Sequence, residues 1–97
     1  MTTVLFRNEE APADAVVLSD SEFIQAALER ISIEADYLRT EGISDASEVL
    51  DSFAVMLELM QEVVMKNKMS PLVAMEHIST VRQEKGSFSD KKAVTKE

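Results

Sequence analysis

The chain has 97 residues, a net charge of −8, 45% apolar and 29% charged residues, no cysteine, and two each of glycine and proline. This length supports one domain with its own core, and the apolar content argues against wholesale disorder. The lack of cysteine excludes disulfides, thiolate nucleophiles and Cys-bound zinc or iron–sulfur centres.

The acidity is concentrated. Segment 19–43 carries six acids against two bases and segment 44–68 five against two, while 69–86 is balanced and the tail is slightly basic. Direct nucleic-acid binding and docking on anionic membranes are both disfavoured, because each needs a Lys/Arg stripe. No apolar run approaches the roughly 20 residues that span a bilayer. The N-terminus lacks a basic region followed by an apolar core, so no secretory signal is read and the expected location is the cytoplasm.

Residues 1–18 hold two short apolar runs, Val4-Leu5-Phe6 and Ala15-Val16-Val17-Leu18, joined by a polar link. They are read as an extended N-terminal arm, with a small hairpin or edge strand as the alternative. The first helix opens at Ser19, whose N-cap position with Glu22 three residues on makes a capping box; Leu18 and Phe23 take the positions of a hydrophobic staple. It runs to about Glu41 and stops at Gly42. Its main apolar face is Ile24, Ala27, Leu28, Ile31, Ala35 and Leu38, with a second stripe of Phe23, Ala26, Ile33 and Tyr37 interrupted by Arg30.

The second helix starts with Ser44 or Asp45 as cap and ends near Lys66-Asn67-Lys68. Ala46, Val49, Leu50, Phe53, Met56, Leu57, Met60, Val63 and Val64 form a continuous stripe, and Val55, Leu59 and Met65 spill outside it. A helix apolar on most sides must be covered on most sides. Ser70-Pro71 opens a third helix, with Ala74, Met75, Ile78, Val81 and the stem of Arg82 as its buried face and Gly86 as its end. Residues 87–97 read as a disordered tail.

Connections of about three residues force consecutive helices antiparallel. The expected fold is therefore all-α: an antiparallel helical hairpin with a shorter third helix, a three-helix bundle domain over 19–86. Two helices of roughly 33 Å and a third of about 15 residues cannot hide Phe23, Ile33, Tyr37, Val55, Leu59 and Met65. Together with Met69, from a methionine-rich stretch suited to adaptable surfaces, these residues form the expected partner or dimer interface. Glu22, Glu29, Asp36, Glu58 and Glu62 form the expected acidic surface.

No catalytic, cofactor or metal residues are assigned. Gly42 and Gly86 are the only glycines, so no phosphate-cradling loop exists. His77 has Ala74 where an inward Glu-x-x-His pattern needs Glu, and no Gly-x-Ser-x-Gly turn presents a serine. Glu34, near the main stripe of the first helix, is read with Glu58 and Glu62 as part of a solvated acidic face, with pairing to Arg30, Arg39 or Arg82 at the seam as the alternative. In composition, though not in motif, the chain is similar to phage-encoded inhibitors, secretion chaperones and bacterial regulatory adaptors. The leading expectation is a non-enzymatic interaction module that regulates or inhibits a protein target, self-associating as a homodimer. The alternatives are an acidic nucleic-acid mimic that blocks a basic groove of a CRISPR or restriction effector, and an assembly or secretion chaperone.

Overall fold

The computed structural model describes residues 3–96. Helix α1 spans Asp20–Glu41, α2 Ala46–Lys66 and α3 Pro71–Lys85, and a 3-10 turn lies in the arm at Asn8–Glu10. Among the described residues there is no β-strand, so the arm is extended chain rather than a hairpin.

Local chemistry accounts for the helix boundaries. The Ser19 hydroxyl accepts the Glu22 amide at 3.2 Å and the Glu22 carboxylate accepts the Ser19 amide at 3.1 Å, closing the capping box. Asp45 accepts the amides of Ser47 and Glu48 at 2.9 and 3.3 Å, and Ser70 accepts that of Leu72 at 3.1 Å with Pro71 in the first turn. Gly42 ends α1 at φ +82°, where its amide still donates to the Leu38 carbonyl, and Gly86 ends α3 at φ +86°. At the end of α2 the same left-handed turn falls on Lys68, φ +64°.

Helices α1 and α2 pair antiparallel, as successive rungs show. Tyr37 donates to Glu48 at 3.1 Å near the connecting loop, Ser52 donates to Glu34 at 2.9 Å further along, and the Lys66 ammonium stands 5.9 Å from the Phe23 ring at the open end. Small side chains set this approach. Ala27 is fully enclosed, Ala26 and Ser52 are buried, and among the described residues no large side chain is fully buried. Helix α3 meets α2 at their junction, and none of its Cα atoms comes within 8 Å of α1.

The molecule is consequently open. Its accessible surface is 8482 Å², against roughly 5,500 Å² for a compact protein of 10.8 kDa. Its radius of gyration is 16.2 Å, against about 12.5 Å for a compact chain of this length. The arm and the tail, 87–96, account for part of this excess; exposed helix side chains supply the rest.

Burial departs from the spacing-based expectation at several positions. On α1, Ala26 belongs to the buried seam although it lies on the second stripe, whereas Leu28 and Ala35 of the main face are exposed. On α2, Val55 and Leu59 are half-buried, while Leu50, Phe53, Leu57 and Met60 are exposed, Leu50 at 65% and Phe53 at 55%. On α3, Ala74 and Val81 are half-buried but Met75 and Ile78 are exposed, because α3 reaches only one neighbour. Residues 87–96 contain no helix or strand, and Phe88 is almost fully exposed.

Candidate functional site

The hairpin presents two different faces. Over one of them lies the arm. Arg7, at the head of the 3-10 turn, donates to both carboxylate oxygens of Glu58 on α2, from Nη1 at 2.6 Å and from Nη2 at 3.0 Å. Such a bidentate fork fixes direction as well as distance. The hydrogen bond from Arg7 holds the Glu58 carboxyl below its ordinary value, and the same bond raises the guanidinium. Between arm and hairpin remains a half-open cleft of about 1240 Å³, lined by Leu5 and Leu18 of the arm and by Phe23, Arg30, Val55 and Leu59 of the hairpin, among others.

Where the seam behind this cleft is buried, its polar contact is at Ser52. Glu34 is bound by Arg30 at 2.9 Å and by the Ser52 hydroxyl at 2.9 Å. Of the three arginines that sequence spacing offers it, Arg30 is the one it takes. Among the described residues every buried side-chain polar atom has a hydrogen-bond partner, as a stable seam requires.

The other face is found by stepping one residue on from the seam. One residue turns an α-helix by about 100°, and in an antiparallel pair that turn carries both helices to the same side of the hairpin. From Ala27 and Glu34 the step reaches Leu28 and Ala35; from Ser52 and Leu59 it reaches Phe53 and Met60. On α1 the resulting row is Ile24, Leu28, Ile31, Ala35 and Leu38. On α2 it is Val49, Phe53, Met56, Met60 and Val63, with Leu50, Leu57 and Val64 beside it. None of these residues is charged, in a chain where 29% are, and none lines the cleft under the arm.

The structure distributes the expected interface residues over three places. Phe23, Val55 and Leu59 meet under the arm, half-buried. Ile33 and Tyr37 are exposed toward the loop end of α1, with the Tyr37 hydroxyl on Glu48; that hydrogen bond and the carboxylate charge raise the phenol above its ordinary value. Met65 and Met69 are exposed at the α2–α3 junction. On the uncharged face Leu28, Leu50, Phe53, Leu57 and Met60 are exposed. Its exposed members Leu50, Phe53, Leu57 and Met60 were expected in the core stripe, because periodicity alone cannot say which side of an all-round apolar helix meets its neighbour.

The expected acidic surface is largely committed locally. The Glu22 carboxylate closes the cap and is held below its ordinary value, chiefly by the Ser19 backbone amide. Asp36 binds Arg39 at 2.6 Å, Glu58 binds Arg7, and Glu62 pairs with Lys66 at 3.4 Å. Of the set, Glu22 and Glu29 carry no ion pair among the described residues, and Glu22 is held by the cap instead.

Sequence reasoning missed Arg7, although a signal was present: it is the only Lys or Arg before Arg30 in an acidic stretch. His77 is exposed on α3. Among the described residues no three His, Asp or Glu side chains converge as metal ligands, and no helix is long and apolar enough to cross a membrane. In comparisons with known proteins the chain matches no family model, no curated protein and no solved structure.

Proposed function

We propose that this protein is a non-enzymatic interaction module of the cytoplasm, working as a homodimer and regulating or inhibiting a protein target through its helical surface. The observation that carries the reading is the surface excess: a lone chain exposes about 2,900 Å² more than a compact protein of its mass, and much of the helical part is leucine, methionine, phenylalanine and valine. Apolar patches beyond a few hundred Å² mark association sites on folded proteins. Binding rather than catalysis suits a chain whose polar groups are spent on caps, ion pairs and the Glu34–Ser52 link.

The nucleic-acid mimic draws less support, because four of the five acids named for it already have partners within the chain. Affinity capture from the native host across a salt series, with DNA as competitor, separates the two. The module reading predicts capture of a target that persists at high salt and is indifferent to DNA, since apolar burial is not screened. Capture that is abolished by salt and displaced by DNA would overturn it in favour of the mimic.

A further inference from the structure

We propose that the uncharged face of the α1–α2 hairpin is the seat of a second copy of this chain, completing a four-helix bundle and leaving the arm side of each hairpin for the target. This rests on the self-associating reading above and specifies the surface that it uses.

Four features single out a second copy. First, the face is a two-helix platform of matched length, 22 residues on α1 and 21 on α2, and its natural cover is another platform of equal length. An isologous dimer supplies that cover by using the same patch twice. Second, the spacing is that of helix packing. Ile24, Leu28, Ile31, Ala35 and Leu38 alternate by four and three, as do Val49, Phe53, Met56, Met60 and Val63, which is the pattern that interdigitates between helices.

Third, the face has apolar side chains to bury: Leu28, Leu50, Phe53, Leu57 and Met60 are each 41–65% exposed, and an interface of about 800 Å² per partner is built by covering such residues. Fourth, charge placement fits like meeting like. Each copy carries −8, so two copies repel, and a contact made through residues without charge buries none of it. The chain's own α3 does not serve as cover, being 15 residues long and distant from α1.

The sign of the salt effect follows. Screening weakens the repulsion between two acidic copies, so salt tightens this dimer, whereas it would weaken docking onto a basic partner.

The test compares Leu28→Lys and Phe53→Lys with Val55→Lys, which lies on the arm side, by sedimentation equilibrium across a dilution and salt series, with helicity followed by circular dichroism. The full chain is expected to dimerise and to tighten with salt; both face variants weaken the dimer roughly tenfold or more, while Val55→Lys leaves it unchanged. A second measurement covers loss of fold in the lysine variants. Because the chain has no cysteine, Ala35→Cys places a single nitroxide on an exposed small position, and intermolecular dipolar coupling is expected. A dimer that ignores the face variants, or that shows no such coupling, would overturn the assignment of the face while leaving self-association standing. A full chain that stays monomeric throughout would overturn both.

Discussion

Glu34 and Ser52 show how a single polar contact sets the geometry of a thin seam. Ser52 is buried, and its hydroxyl shares one carboxylate with Arg30. Truncating Glu34 leaves the buried Ser52 hydroxyl without a partner, while the partly exposed Arg30 still reaches water; such a buried orphan costs about 1–3 kcal/mol, whereas removing both sides together can be nearly neutral. Glu34→Leu is therefore expected to lower stability in urea unfolding by about 1–2 kcal/mol, even though it adds apolar surface to a seam. Adding Ser52→Ala to Glu34→Leu should recover part of that loss. A Glu34→Leu variant as stable as the parent would show that the link contributes nothing. At the same scale, Ala26 and Ala27 allow the close approach that brings the serine hydroxyl to the carboxylate; larger side chains there would overpack it.

Among the elements, the arm is tied to the hairpin through a side-chain pair. Its bidentate pair, Arg7 with Glu58, joins residues 51 apart in the chain. The carboxyl of Glu58 titrates below its ordinary value in the folded state, so the stabilisation from this pair is fully present above that ordinary value and is lost as pH falls through the lower, folded-state value. Acid should thus release the arm while α1 and α2 remain paired. Methyl NMR signals of Leu5 and Leu18 are expected to shift toward free-chain positions on acidification, and Arg7→Ala should produce the same shift at neutral pH. Arm signals that hold their positions in both cases would contradict the pair's role.

The same contrast between local and distant contacts explains what the sequence makes legible. The caps at Ser19, Asp45 and Ser70 and the stops at Gly42 and Gly86 depend on neighbours within four residues, and each was readable. The arm's fastening was not, since nothing local couples Arg7 to Glu58. The orientation of α2 was not either: with apolar residues on most of its circumference, spacing is compatible with several seams. Ser52, packed against Glu34, decides among them and turns Val55 and Leu59 inward while Leu50, Phe53 and Leu57 face out. The Lys68 turn carried no signal, because lysine is not a residue that marks φ above zero.

For the whole molecule, the decisive quantity is surface. Helices joined by short loops and sealed by alanine and serine form a hairpin whose thickness is one layer, and one layer cannot enclose two-sided apolar helices. The 47 × 34 × 31 Å envelope of so small a chain reflects that openness. A second hairpin on the uncharged face would supply the missing layer. The most direct test is mass in solution along a dilution series, read together with binding of a hydrophobic dye. A species near twice 10.8 kDa that dissociates on dilution is expected, with dye uptake rising as monomer appears. A constant mass of one chain at every concentration, with no dye bound, would contradict it.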